Sequence, residues 1–176
     1  MTKTKKMILS ALFIVLSIIL TRLLSFRFSL FGVESIRIGF GTLPIFLSAL
    51  ILGPWYGFMV GALADFFGYW INPMGPFMPH FTLTSGLHGL LPGLVFWYVF
   101  KKETNFWSFA FSYLAGALVG VTLTPYFIHT LFGVPYGVLM PPRIVSLSIK
   151  FFLYPAIMVI LYKRIPQLEK LTHPSI

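Results

Sequence analysis

Two ionisable side chains lie within stretches that are otherwise apolar, and they are the first candidates for chemistry. Asp65 falls about 15 Å along one predicted helix and Lys150 about 10 Å along another, at roughly 1.5 Å per residue. A charge inside hydrocarbon costs several kcal/mol unless it is paired or wetted. The two depths overlap within a bilayer core of about 30 Å, so the residues could pair. Such a pair would either brace two helices or belong to a binding site.

Polar and aromatic residues recur at helical spacing in three segments of the chain. One segment carries Asp65, Tyr69 and Asn72, flanked by Phe66 and Trp70. The other two stripes are His80, Thr84 and His88, and then Arg143, Ser146, Lys150 and Tyr154. Residues three, four and seven apart share one helix face. A bundle that buries these faces would therefore enclose a polar cavity lined with rings and open at one end.

Three arginines lie near the same predicted end of the bundle: Arg22, Arg27 and Arg37. Each could reach toward lipid headgroups along its aliphatic stem. The guanidinium group also matches the geometry of a carboxylate, so the three could instead bind an anion. Together with the aromatic stripes, they favour a ligand that is anionic at one end and aromatic at the other.

The composition requires a membrane. Of 176 residues, 57% are hydrophobic and 10% charged, and the mean hydropathy is +0.88. A soluble domain carries about 25% charged residues, so this chain cannot cover itself with a water-facing shell. The net charge of +9 does not predict nucleic-acid binding, because the basic residues flank apolar runs and form no single basic patch. The absence of cysteine excludes disulfides and thiolate metal sites.

We predict an all-α membrane protein in which residues 1–176 form one transmembrane substrate-binding domain. The predicted helices are residues 6–25, 37–52, 55–71, 80–100, 106–130 and 143–162. Breaker residues separate them, among them Gly53-Pro54, residues 72–79 and residues 132–142. Because the basic residues concentrate at both termini and near Lys101, both termini are predicted to be cytoplasmic.

No motif in the sequence predicts catalysis. There is no glycine-rich phosphate loop, so the chain is not expected to hydrolyse ATP itself. No acidic residue lies near His80 or His88 in the sequence to complete a metal site, so neither a metal nor another cofactor is expected. A membrane enzyme would need a denser polar constellation, and a stand-alone secondary transporter commonly shows inverted repeats that are not evident here.

The segment 34–45 (ESIRIGFGTLPI) resembles the folate family of S components of energy-coupling-factor (ECF) transporters. So do the segments 53–57 (GPWYG), 61–69 (GALADFFGY) and 81–84 (FTLT). The resemblance extends over roughly residues 7–162 and includes the plan of six helices. It implies the ECF S-component fold and a subunit that captures a vitamin from outside the cell.

The resemblance implies folate as the ligand, with its flat pterin, aminobenzoate ring and glutamate tail. Four rings would stack on the pterin: Phe66, Tyr69, Trp70 and Phe77. Its N–H groups would be accepted by Asp65, Glu34 or Asn72. The tail carboxylates would be held by Arg22, Arg27 or Arg37, of which we favour Arg37 because it lies within a matched segment. His88 and Lys150 complete the predicted site because they lie on the polar stripes.

The resemblance also implies partners: a membrane coupling subunit, two cytoplasmic ATPases and the bilayer of a bacterial plasma membrane. Family members dock the coupling subunit through an Ala-x-x-x-Ala face on the first helix. Here Ala11 is followed four residues later by Val15, so we expect Ser10, Ala11 and Ser17 to take over that role. An S component for riboflavin, thiamin or a pyrimidine precursor remains the nearest alternative.

Overall fold

The computed structural model of the chain describes residues 2–22, 26–30, 33–38, 40–71, 77–165, 168 and 172, with the backbone alone for 22, 26–30 and 33–38. Within residues 2–165 of this described part, breaker residues separate six α-helices and one short hairpin. The elements are α1 (Lys3–Arg22), β1 (Phe26–Leu30), β2 (Val33–Ile38), α2 (Thr42–Leu52), α3 (Pro54–Ile71), α4 (Pro79–Leu94), α5 (Phe106–Phe132) and α6 (Tyr136–Arg164). A π-helical turn, Val95–Val99, continues α4. The helical bundle that the sequence predicts is confirmed.

Long apolar helices place this bundle in a membrane. By length and composition, α1, α5 and α6 can each cross a bilayer, and α2 is a shorter apolar helix. Large apolar side chains also point outward, such as Leu12 on α1 and Phe152 on α6, each 61% exposed. Bilayer lipid is the solvent that accommodates such surfaces, since water would penalise them.

The prediction that the second helix begins at Arg37 is wrong. Arg37 lies in β2, which pairs with β1 as an antiparallel hairpin, and α2 begins only at Thr42. The segment 26–30 alternates apolar and polar residues, and β2 contains Val33, Ile36 and Ile38. This period of two and the β-branched side chains favour a strand over a helix. The hairpin packs against α6 through β2.

The predicted loop over residues 132–142 is also wrong for most of its length. The sixth helix begins at Tyr136, immediately after Pro135, and continues through Pro141 and Pro142 to Arg164. Proline is well tolerated in membrane helices, because neighbouring helices and local adjustments satisfy the freed carbonyl groups. Because the prediction applied the breaker rule for soluble chains, it began this helix about two turns too late.

Contacts at one end of the bundle bring four parts of the chain together. The ammonium group of Lys6 lies 5.4 Å from the Tyr56 ring centre, which joins the beginnings of α1 and α3. Trp97 donates a hydrogen bond from Nε1 to the Leu50 carbonyl at 3.0 Å, and its ring lies 3.9 Å from the Lys102 ammonium. Lys102 in turn donates to the carbonyl of Thr172 at 3.2 Å. Residues near both termini therefore lie at the same end, as an even number of spans requires.

An aromatic core joins α2, α5 and α6 above that end. The rings of Phe46 and Tyr113 lie 5.7 Å apart, and those of Tyr113 and Tyr154 lie 4.8 Å apart. The Tyr154 hydroxyl shares a hydrogen bond of 2.8 Å with Thr42 at the first turn of α2. Because a buried hydroxyl without a partner would be costly, this bond lets the core hold a tyrosine at this depth.

Glycine allows α3 and α4 to approach until their backbones touch. A Cβ at Gly57 would lie 2.7 Å from the carbonyl oxygen of Gly89, and one at Gly61 would overlap the carbonyl of Ser85. A Cβ at Gly86 would lie 2.7 Å from the Phe58 ring. Without a hydrophobic driving force between helices in lipid, close packing of small residues is a main source of association. The α3–α4 seam therefore fixes the relative position of the two helices.

Substituting Gly61 with alanine tests this seam. The new methyl group would meet the Ser85 backbone, which cannot rotate away, so we expect a loss of about 1–3 kcal/mol. At about 2–4 °C per kcal/mol for a chain of this size, this corresponds to a fall of roughly 2–12 °C in Tm. The matched control is Gly137→Ala, because a Cβ at Gly137 meets nothing within 4 Å. Thermal unfolding in detergent measures both variants, and equal Tm values would contradict the seam.

Candidate functional site

Four aromatic residues predicted to bind the ligand form one cluster at the far end of α3. The ring centres of Phe66 and Trp70 lie 6.4 Å apart, and those of Trp70 and Tyr69 lie 5.8 Å apart. The ring centre of Phe77, just before α4, lies 5.2 Å from that of Tyr69 and 5.8 Å from that of Phe66, so each of the four rings contacts two others. The ring cluster of Phe66, Tyr69, Trp70 and Phe77 thus joins α3 to the start of α4.

The rings of this cluster are tilted against one another by 57–84°. Such edge-to-face contacts are a preferred arrangement for aromatic pairs. They leave the ring cluster with exposed faces: Trp70 is 68% exposed and Phe77 37% exposed. The four rings therefore present both faces and edges to a ligand, and not four parallel stacking faces.

Asp65 lies one turn before Tyr69 on α3 and accepts a hydrogen bond from the Thr82 hydroxyl on α4 at 2.9 Å. Its side chain is half-buried. A carboxylate offers about four lone-pair sites, so the bond to Thr82 leaves capacity for further donors. The α3–α4 seam brings these two residues together, and no spacing rule in the sequence linked them. Thr82 is therefore a partner of the candidate site that the sequence analysis missed.

The remaining polar residues of the α4 stripe have different roles. The Thr84 hydroxyl donates to the carbonyl of His80 at 2.7 Å, within the same helix, and its side chain is buried. The His80 ring packs on Phe127 of α5, with ring centres 4.8 Å apart. Thr84 therefore satisfies its hydroxyl locally, and His80 connects α4 to α5.

His88 meets α5 and α6 at a single point. Its Nε2 occupies the space where Gly120 of α5 would carry a side chain. The carbonyl of the same Gly120 accepts a hydrogen bond of 3.2 Å from Arg143 Nη1 on α6. Lys150, also on α6, lies close enough to His88 for its charge to act on the imidazole. Two basic side chains, His88 of α4 and Arg143 of α6, thus meet at one backbone position on α5.

The fourth member of the α6 stripe, Tyr154, does not belong to this group. Its side chain is 1% exposed and binds Thr42 within the aromatic core. The stripe that the sequence suggested therefore divides along α6. Arg143 reaches the Gly120 carbonyl and Lys150 lies near His88, whereas Tyr154 packs in the core.

The other predicted site residues fall where the structure gives backbone only or nothing. Arg22 ends α1, Arg27 lies in β1, and Glu34 and Arg37 lie in β2. Arg27 and Arg37 are paired across the hairpin, so the two positions are neighbours on adjacent strands. Asn72 and the side chains of the four hairpin and helix-end residues lie outside the described part of the chain.

Of the three residues predicted to dock a coupling subunit, one faces inward. Ser17 is 1% exposed and donates to the carbonyl of Gly41 at 2.8 Å, so it joins α1 to the start of α2. Ser10 binds the Lys6 carbonyl at 2.8 Å within α1, and Ala11 is exposed. Ser17 is therefore not part of an exposed face, whereas Ala11 lies on the exposed face of α1.

The chain resembles known transport proteins along nearly its full length. The family model for the ECF-type riboflavin transporter S component matches residues 1–149. A protein of Clostridium novyi (strain NT) described as folate transporter FolT is 32% identical over 169 residues, covering 96% of this chain and 94% of that protein. These are substrate-binding subunits of transporters and not enzymes.

Two solved structures share the fold. The crystal structure of FolT bound with folic acid matches with a TM-score of 0.76 at 24% identity, over 94% of this chain and 96% of that one. The structure of the S component of a bacterial ECF transporter matches with a TM-score of 0.67 at 18% identity, over 96% and 99%. The fold is thus that of a membrane-embedded substrate-binding subunit. The chain belongs to the family of ECF transporter S components.

A double-mutant cycle on Asp65 and Thr82 tests the bond that connects the ring cluster's helix to α4. Thr82→Val should cost about 1.5–3 kcal/mol of unfolding free energy, as expected for a hydrogen bond to a charged group. The same change in an Asp65→Ala background should cost far less, because the acceptor is already gone. Thr122→Val is the control, since Thr122 is exposed and donates within its own helix to Leu118. Additive losses at Asp65 and Thr82 would contradict the bond.

Proposed function

We propose that this chain is the folate-binding subunit of an ECF importer, acting as one substrate-binding domain. The observation that carries the proposal is the Asp65 carboxylate beside the ring cluster of Phe66, Tyr69, Trp70 and Phe77. A flat heteroaromatic ring stacks favourably on aromatic side chains. A carboxylate at the edge of such a ring accepts hydrogen bonds from its N–H groups.

The hydrogen-bonding groups along the ring edges of the possible ligands favour a pterin over a flavin. A pterin presents an amino group next to a ring N–H, so two donors point in the same direction, as a carboxylate requires. The corresponding flavin edge has one N–H flanked by two carbonyl oxygens, which a carboxylate repels. Asp65 therefore supports folate, the substrate of the FolT relative, over riboflavin, the substrate of the family whose model matches.

The charges of the site support the same choice. His88, Arg143 and Lys150 place basic groups on the α4 and α6 sides of the bundle. Folate carries two carboxylates on its glutamate tail, whereas riboflavin is uncharged and thiamin is a cation. The proposal also keeps Arg22, Arg27 or Arg37 as candidates for the tail, and Glu34 or Asn72 as candidates for the pterin.

We further propose that the chain works with a membrane coupling subunit and two cytoplasmic ATPases in a bacterial plasma membrane. The basic residues Lys3, Lys5, Lys6, Lys101 and Lys102 lie at the end of the bundle where residues near both termini meet. This end is the cytoplasmic one by the positive-inside rule. The ring cluster then lies in the outer half, where it can capture ligand from outside.

Fluorescence titration of the purified protein tests the ligand. Folate at sub-micromolar concentration should quench tryptophan emission, because Trp70 belongs to the ring cluster. Trp70→Phe should remove most of this quenching. Trp107→Phe should retain it, since Trp107 begins α5 at the opposite end of the bundle. A saturable response to riboflavin or thiamin with none to folate would contradict the proposal.

Co-purification tests the partners. Wild-type protein solubilised in mild detergent from its own host should carry a second membrane protein and two ATPases, identified by mass spectrometry. Ala11→Trp should reduce this yield at least several-fold, because it adds bulk to the exposed face of α1. Phe111→Trp is the matched control on the exposed face of α5. Accumulation of folate in liposomes by the lone chain, driven by an ion gradient, would identify a secondary transporter instead.

A further inference from the structure

Arg143 points into the bundle, although it lies near an outer helix end from which it could reach lipid headgroups. It lies about 10 Å along α6 from Tyr136, whereas Gly120 lies about 18 Å from the facing end of α5. The hydrogen bond from Nη1 to the Gly120 carbonyl therefore draws the guanidinium inward. Arginine stems at helix ends ordinarily extend the other way, toward the interface. The inward direction calls for a local cause.

Gly120 supplies the geometric part of that cause. Since it has no side chain, Nε2 of His88 can approach the α5 backbone from the α4 side. Arg143 approaches the carbonyl of the same residue from α6. The imidazole and the guanidinium are thus held around one peptide unit, with Lys150 close enough to add its charge. Any larger residue at position 120 would push His88 away.

The hydrogen-bonding capacity of Arg143 is mostly unused. A guanidinium has five N–H donors, and within the described part of the chain its hydrogen-bond partner is the Gly120 carbonyl. Of the acids whose side chains are described, Asp65 accepts from Thr82, and Glu103 lies in the α4–α5 connection at the opposite end. A cation at this depth is costly without an anion beside it. An anionic group of the ligand would provide that counter-charge.

We infer that Arg143 and His88 form the subsite that binds the carboxylates of the ligand's tail. This inference rests on the proposed function and assigns the anion to α4 and α6, where the sequence analysis favoured Arg37 of the hairpin. Arg143 supplies a fork of N–H donors, and His88 adds one ring N–H. Lys150 raises the positive potential without needing to touch the ligand. The subsite thereby selects anionic ligands over neutral ligands of similar ring structure.

The decisive experiment compares folate with its diamide, in which both tail carboxylates are carboxamides of nearly equal size. Dissociation constants are measured by tryptophan quenching for wild type, Arg143→Gln, Arg143→Lys, His88→Gln and Arg37→Ala. Loss of a charged hydrogen bond is worth about 10- to 100-fold in affinity. Arg143→Gln should therefore weaken folate by about that factor and the diamide by less than about threefold. Arg143→Lys should recover part of the loss, and His88→Gln should show a smaller selective loss.

Exposed Arg164→Gln at the other end of α6 is the control and should change neither constant. Equal weakening of folate and diamide by Arg143→Gln would overturn the subsite, because a brace between α5 and α6 would give that result. A selective loss in Arg37→Ala with none in Arg143→Gln would overturn it in favour of the hairpin. Wild-type protein that binds neither compound would overturn the proposed function itself. Diamide binding by Arg143→Gln also shows that this variant is folded.

Discussion

The close approach of α3 and α4 is the constraint on which the site depends. Where Gly57 meets Gly89 and Gly61 meets Ser85, the two backbones touch with no side chain between them. Lipid gives no hydrophobic force to hold the helices together, so dispersion across this seam must do so. Its consequence for function is positional: the seam fixes Asp65 opposite Thr82, and it places Phe77 within reach of Phe66 and Tyr69. If the α3–α4 seam loosened, the four rings would move apart even though none of the four residues had been changed.

Glycine acts in the same way a second time, between α4, α5 and α6. Gly116 receives Pro92, whose Cγ would lie 2.6 Å from a Cβ at that position, and Gly120 receives the ring of His88. One small-residue face of α5 therefore has two outcomes. At Gly116 it allows close packing, and at Gly120 it leaves room for His88 beside a carbonyl that accepts a hydrogen bond from Arg143.

The sequence predicted well where a local rule was sufficient. Gly53-Pro54 and the proline-rich segment after Ile71 bracket α3, and the stripe from Asp65 to Trp70 identified its polar face. It failed where the outcome depended on partners distant in the chain. Arg37 was expected in a helix because Ile36 to Leu52 is mainly apolar, yet the pairing of β2 with β1 decided its backbone. Thr82 lies in the matched segment 81–84, but only the packing of α4 on α3 pairs it with Asp65. Pro141 and Pro142 were predicted to lie in a loop, but the membrane environment sustains a helix through them.

The arrangement of charge explains how one scaffold can distinguish vitamins of similar shape. A stacking surface accepts any flat ring, so the ring cluster alone discriminates weakly. Discrimination requires groups that are costly to bury without their partner, such as the Asp65 carboxylate and the Arg143 guanidinium. Each is fixed by a contact that uses only part of its capacity, Thr82 for the acid and Gly120 for the base. The protein therefore orients the Asp65 carboxylate and the Arg143 guanidinium, and the ligand supplies their remaining hydrogen bonds in the proposed site. In the proposed site, a ligand that lacks either the donor edge or the anionic tail would leave one half-buried charge incompletely solvated, which would weaken its binding.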